Sequence, residues 1–255
     1  YVNDGFYTVA DFESFDSKSR TWKLKEGVVD SSPLSDTPRP GNAKFKKLTP
    51  VDPNSTNPYQ LTEADRTVIG NTTPKFSGGF GLNATYKGFD MSMFFNFMYD
   101  FDVLNANKIM LTTWADNKEN NFLMDIASDK RWRNFDDMGN EIRYSPEVLA
   151  EFNKNATMWN PTSIGRPICM SYAVEDGSFL RLNSATLGYT LPSVWTKKVG
   201  LSKVRFYVSG NNLFTLTGYS GYDPEVNIAT GLTPNIDYNR YPRSRTYTFG
   251  AQLTF

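Results

Sequence analysis

The sequence predicts an all-β chain: antiparallel strands long enough to form part of a transmembrane β-barrel, joined by long loops. Three observations carry that expectation. Residues 75–100 read KFSGGFGLNATYKGFDMSMFFNFMYD, with Phe76, Gly78, Phe80, Leu82, Ala84 and Tyr86 alternating before Lys87-Gly88, and Phe89, Met91, Met93, Phe95, Phe97 and Tyr99 after it. Residues 245–255, RTYTFGAQLTF, alternate in the same way and end on Phe255. A soluble sheet more often ends on a polar or frayed residue, whereas an aromatic closing an amphipathic strand is usual in bacterial outer-membrane barrels. Tight links also alternate with long ones along the chain, as short periplasmic turns alternate with long extracellular loops in such barrels.

Residues 1–74 contain SPLSDTPRPG and TPVDPNSTNPYQ, where proline and asparagine break helices and strands alike. A long irregular region with short ordered pieces is expected there. The chain opens YVNDGFYTV, with neither an initiator methionine nor a secretory signal, which suits a processed product or the later part of something longer. In 75–100, a two-residue turn at Lys87-Gly88 sets Tyr86 opposite Phe89 and gathers the alternating apolar residues on one face. Each arm spans roughly eleven to thirteen residues. That exceeds the ~5–6 of globular strands and matches the ~9–11 that cross a bilayer at a tilt.

Residues 101–177 make a long mixed connection. ENNFLMDIASDKRWRNF shows helical periodicity, SPEVLAEFNK opens like a capped short helix at Ser145 with Pro146 in its first turn, and NPTSIGRP adds turn formers. Residues 178–191, SFLRLNSATLGYTL, give a strand that alternates through Ala185, Leu187, Tyr189 and Leu191; its front half, with Phe179, Leu180 and Leu182, is less regular. PSVWTKKVGLS is a short link carrying one helical turn. Residues 203–216, KVRFYVSGNNLFTL, set Val204, Phe206 and Val208 against Arg205, Tyr207, Ser209 and Asn211. A loop over 217–244, dense in tyrosine, proline and asparagine, precedes the last strand.

With the C-terminus periplasmic, strands 75–87, 178–191 and 245–255 run inward and 88–100 and 203–216 outward, so the short links share one side. Phe80, Leu82, Phe89, Met91, Met93, Phe95, Val204, Phe206, Val208, Phe249 and Leu253 then face lipid or lipopolysaccharide. Asn83, Thr85, Asp90, Asn96, Arg205, Asn211, Thr248 and Gln252 face a polar lumen. Five strands cannot close a bacterial barrel, which takes about 8 or more, and an open edge in hydrocarbon costs several kcal/mol per unpaired backbone group. The strands therefore pair with further chain, or they belong to a soluble sheet.

Composition removes several function classes. Lys and Arg total 27 and Asp and Glu total 27, so no charge excess points to nucleic acid. Mean hydropathy is −0.48 although aromatics reach 15%. No apolar run approaches the ~18 residues of a transmembrane helix. The absence of histidine removes the usual general base and every Ser-His-Asp triad. Cys169 stands alone, so neither a disulfide framework nor a zinc ribbon is available, and a small, partly buried apolar role is expected for it. Phosphate-loop, dinucleotide and nucleophile-elbow motifs are missing. Asp136-Asp137 lie in a charged, loop-like stretch. No enzyme, cofactor or resident metal is expected.

Several segments resemble one family. PGNAKFKKL with TEADRTVIGNTTPKFSGGFGLNATYKGFDMSMFF is similar to the region before and through a late hairpin of SusC-like (SusC/RagA) TonB-dependent transporters. VEDGSFLRLNSATLGYTLP, VRFYVSGNNLFTLTGYSGYDPEV and IDYNRYPRSRTYTFGAQLTF resemble its C-terminal strands in order and spacing. The resemblance covers more than half the chain. It implies an outer-membrane barrel of about 22 strands with a plug, importing oligosaccharides or peptides with energy passed through TonB, under a SusD-like lipoprotein lid. Residues 1–74 would be an extracellular loop region preceding a strand, and 75–255 C-terminal barrel strands with extracellular loops 101–177 and 217–244; plug and earlier strands would lie elsewhere, on the same or another chain. Where the family often carries an acidic calcium-type stretch, this chain has VDPNSTNPYQLTEADR: Asp52, Asn54 and Glu63 keep suggestive spacings, but the turn glycine is missing and Pro53 and Pro58 intrude. Solute contact is expected from loop residues Tyr219, Tyr222, Asp223, Tyr238 and Arg240, with Arg243 nearby and Trp114, Trp132 and Trp159 as weaker candidates. The alternative for each is packing between loops. A secreted carbohydrate-binding β domain and a passive porin-type barrel are the competing readings of the whole.

Overall fold

The computed structural model describes residues 1–113, 121–127, 129–164, 167–226, 234–238 and 241–255. The chain divides into two compact units, one of Tyr1–Ile69 with Asn105–Val174 and one of Gly70–Leu104 with Glu175–Phe255.

The first unit brings together stretches that look separate in sequence. Its strands are β1 (Asn3–Phe6), β2 (Phe12–Asp16), β3 (Thr21–Leu24) and β4 (Ala43–Phe45), with β1 antiparallel to β4 and β2 to β3. Leu34, Phe45, Leu61, Trp159, Ile164 and Met170 meet in one buried cluster, and Trp132, Ile142 and Leu149 in a second. Gly41 has φ +88°, and a Cβ there would lie 2.2 Å from Trp132 Cδ1, so glycine is needed for both backbone and contact. Asp65 is fully buried and accepts from Leu48 N at 2.8 Å, Thr49 N at 2.8 Å, Thr49 Oγ1 at 2.7 Å and Thr62 N at 2.8 Å. Burial alone would raise its carboxyl pKa; the donors from Thr49, Thr62 and Leu48 outweigh it and hold the group well below the usual carboxylate range.

Two local expectations are corrected here. Among the described residues, ENNFLMDIASDKRWRNF forms only one 3-10 turn, Met124–Ile126, because Trp132 N donates to Met158 O and Met158 N to Lys130 O, which draws the segment into extended pairing. Cys169 is exposed rather than partly buried, since its neighbours Ile168 and Met170 take the core-facing positions of an extended stretch. The expected helix at SPEVLAEFNK runs Pro146–Phe152, with Pro146 in its first turn and Ser145 at the cap position, though the Ser145 side chain makes no cap bond.

The second unit is built on β5 (Phe76–Tyr86), β6 (Phe89–Tyr99), β7 (Asp102–Asn105), β8 (Val174–Asp176), β9 (Phe179–Thr190), β10 (Lys203–Thr217), β11 (Ile236–Asp237) and β12 (Thr246–Thr254). Five of them form one antiparallel meander in the order β12-β10-β9-β6-β5, and β11-β7-β8 form a small sheet. Each of the five long strands falls within a residue or two of its expected span. Lys87 and Gly88, both at positive φ, make the turn that pairs Tyr86 with Phe89 and Phe80 with Phe95. Pairing of Met91 with Leu187, Leu187 with Val208 and Val208 with Phe249 then carries the same face across the sheet.

That face is apolar from edge to edge, with Phe80 stacked on Phe95 at 4.9 Å between ring centres. The opposite face carries Asn83, Thr85, Ser92, Thr186, Ser209, Thr248 and Gln252. The irregular front of β9 has a structural cause: pairing with β6 steps from Phe94↔Ser184 to Phe95↔Leu182, so Asn183 is an extra residue. This bulge shifts the parity and returns Leu180 and Leu182 to the apolar face. The link after β9 contains Ser193–Thr196 in one helical turn and leaves through Gly200 at φ +73°.

Candidate functional site

The polar face of the sheet holds one strong charge pair. Asp90 on β6 and Arg205 on β10 are separated by β9, yet Arg205 Nε donates to Asp90 Oδ1 at 2.9 Å and its second nitrogen reaches Oδ2. The bridge spans the intervening strand at Gly188, where a Cβ would sit 2.4 Å from the Arg205 guanidinium. Gly250 serves Tyr207 likewise, since its Cβ would fall 2.3 Å from the tyrosine ring. Small residues on β9 and β12 thus make room for long polar side chains from β10.

At the opposite end of the strands from the Lys87-Gly88 turn, a charge network holds the segment after β10. Arg181 on β9 is 2% exposed and donates to Asp223 at 2.5 Å; Glu225 lies 3.7 Å from the same guanidinium and 2.7 Å from Arg243. The Glu225 N–H donates to Asp223 Oδ1 at 2.9 Å, folding GYDPEV on itself. Tyr219 is buried and donates its hydroxyl to Asp237 at 2.7 Å. Burial, then the bond to Asp237, pushes the Tyr219 hydroxyl pKa far above its ordinary value. Ser220 donates from both N and Oγ to Glu175, at 2.9 and 2.8 Å. Phe101, Val103, Phe179 and Val226 pack around Tyr219.

The residues expected to contact solute therefore fall into two groups. Tyr219 and Asp223 are tied to the body of the unit, whereas Tyr222 is 81% exposed and Tyr238 45% exposed. Arg240 and Trp114 lie outside the described residues. Trp132 and Trp159 are core residues of the other unit. Arg181, the centre of the network, was not singled out from the sequence, although the one arginine of SFLRLNS and the Asp-x-Glu pair of GYDPEV were the available signal.

Asp52 and Glu63 are occupied elsewhere. Asp52 accepts from Asn54 N at 2.9 Å in a local turn, and Glu63 pairs with Arg66 at 3.2 Å. Among the described residues no three acidic, cysteine or histidine side chains converge as metal ligands.

Comparison with known proteins places the chain in context. No protein-family model matches it. It is 35% identical over 202 residues to TonB-dependent receptor P3 of Formosa agariphila, a match covering 77% of this chain and 18% of that receptor. Over 88 residues it is 38% identical to the TonB-dependent receptor SusC of Bacteroides thetaiotaomicron, covering 33% of this chain and 8% of SusC. Its structure aligns with that of the RagAB peptide importer in the open-open state with a TM-score of 0.54 at 25% identity, over 84% of this chain and 21% of the other. The chain thus spans about a fifth of the length of the curated relatives it matches over most of its own.

Proposed function

Because the chain belongs to the SusC-like TonB-dependent receptors, we propose that it forms an arc of the wall of an outer-membrane importer in a Gram-negative bacterium. One observation carries this reading: a five-stranded meander with exposed aromatics on one face and hydroxyls, amides and an ion pair on the other. Lipid meets the aromatic face, and a hydrated solute passes the polar one. The barrel has about 22 strands, completed by further strands that pair with β5 and β12. A plug moved through TonB opens the lumen.

The extracellular loops 101–177 and 217–244 receive a SusD-like lipoprotein lid and the incoming oligosaccharide or peptide. Tyr222, Tyr238 and Arg240 touch the solute, while Tyr219 and Asp223 act through the loop that they hold in place. Aromatic faces suit sugar rings and peptide side chains alike. Uptake of the solute is expected to stop when TonB is deleted; uptake that continues identifies a passive porin. A protein that stays monomeric in solution without detergent identifies a secreted binding domain.

A further inference from the structure

The unit of residues 1–69 and 105–174 contains a cavity of about 190 Å³ whose wall includes Arg20, Arg39, Arg143, Tyr144 and Asp36. Three arginines thus line a wall that carries one carboxylate, and since Glu141 pairs with Arg143, Arg20 and Arg39 are left against Asp36 alone. The Arg20 guanidinium lies 4.7 Å from the centre of the Tyr144 ring and that of Arg143 5.7 Å from the same ring. Arg143 forms an ion pair with Glu141, Nε lying 2.5 Å from Oε1, without the alignment of a hydrogen bond. Among the described residues no carboxylate pairs with Arg20 or Arg39. Like charges gathered on one aromatic ring repel, and the ring compensates each only weakly at an exposed site. The excess leaves a positive potential focused in a concave wall.

A second cavity of about 470 Å³ shares Asn134, Arg143, Asn160 and Thr162 with the first. It adds Phe135, whose ring lies 5.6 Å from the Arg143 guanidinium, and Trp132, whose buried Nε1 has no acceptor among the described residues. We propose that the smaller cavity is a carboxylate site and that the larger one takes the body of the same solute. Guanidinium forks match a carboxylate with two parallel bonds, which lysine cannot do. The Thr162 hydroxyl donates to Asn160 Oδ1 at 2.8 Å, so the Asn134 and Asn160 amide nitrogens are the donors that suit the neighbouring oxygens of a uronic acid or the backbone of a peptide C-terminus.

This inference deepens the importer reading by naming a chemical feature of the solute, but affinity is measured without transport. A protein that binds acids and does not import them overturns the importer and leaves the site. The test is calorimetric titration of the detergent-solubilised full-length protein with D-glucuronate, dialanine and D-glucose. At least one acid is expected to bind about tenfold or more tightly than glucose, and the tighter acid identifies the source of the carboxylate. Arg20→Ala with Arg39→Ala weakens that binding about tenfold, a loss of ~1.4 kcal/mol. Arg20→Lys with Arg39→Lys retains part of it, and Asp36→Asn strengthens it. Should the double alanine variant not fold, Arg39→Ala alone, at an exposed position, is read in its place. The site is refuted by glucose binding as tightly as the acids, by neither acid binding, or by an alanine variant binding like the parent.

Discussion

The first unit and the five-stranded sheet of the second treat the same residue types in opposite ways. In the unit of residues 1–69 and 105–174, Tyr7, Phe45, Trp132 and Trp159 are buried. In the sheet, Phe206 is 51% exposed and Phe249 79% exposed, and neighbours such as Phe80 and Leu253 extend the patch from edge to edge. A contiguous exposed apolar face of this kind marks an interaction with another surface or with a membrane. The first unit has a core in the ordinary sense. The sheet has two unlike skins, one apolar and one polar, which the proposed reading assigns to hydrocarbon and to water. On that reading, counting buried residues underrates the sheet, because its apolar face is covered by its surroundings rather than by its own core.

Equivalent truncations test that difference. Phe45→Ala is expected to cost about 3–5 kcal/mol, as for a fully buried aromatic, and Phe249→Ala in detergent less than about 1 kcal/mol. Hydrogen exchange read segment by segment separates the two. Equal losses of protection would mean that the sheet face is covered by protein. A charge sharpens the contrast: Val208→Lys, on the aromatic face, should cost ~2–4 kcal/mol in a bilayer, whereas Ser209→Lys, one residue on, should be almost silent. Refolding yield into lipid vesicles measures it, and equal tolerance at both positions breaks the assignment of faces.

Electrostatics also divide the units. Asp65→Asn keeps the shape but turns an acceptor for several donors into a half-donor, at about 2–3 kcal/mol. The carboxyl pKa is lowered on folding, so its contribution is present above the unfolded value of ~3.9 and is lost as pH falls toward the folded one. Acid titration of local stability should therefore show a loss around residues 48–62 in the parent protein that is absent from the Asp65→Asn variant. In the sheet, Gly188→Ala places a methyl group where the Arg205 guanidinium crosses β9. About 1–3 kcal/mol is expected from that overpacking, read as a lowered denaturation midpoint; an unchanged midpoint would mean that the Asp90–Arg205 bridge does not need the gap.

How much of this was legible follows from how local each signal is. The Lys87-Gly88 turn and the faces of β5, β6, β10 and β12 needed only period-two alternation, which survives wherever both faces meet different media. Asn183 hid the front of β9, because a bulge breaks parity and leaves no sequence mark of its own. The joining of residues 1–69 with 105–174 was not legible either. Leu34, Phe45, Leu61 and Trp159 come from irregular segments without a period, and their meeting is a product of long-range packing. At the candidate site, sequence supplied the loop aromatics but not Arg181. A strand arginine facing the polar side reads as lumen-facing until the acidic loop that covers it is seen.

The loop after β10 gives the smallest stability effect and the most direct view of function. Tyr219 and Tyr222 are three residues apart in the same segment, yet one hydroxyl is bonded to Asp237 and the other side chain is exposed. Tyr219→Phe removes that bond and leaves a buried carboxylate short of a donor, so about 1–3 kcal/mol should be lost. Tyr222→Ala removes no hydrogen bond among the described residues, and its effect should stay within ±0.5 kcal/mol. A solute that stacks on Tyr222 will nevertheless bind more weakly to the Tyr222→Ala protein at unchanged stability, which titration together with thermal unfolding would reveal. If affinity instead falls only in proportion to stability, and only for Tyr219→Phe, the loop is a structural strap and solute recognition lies elsewhere.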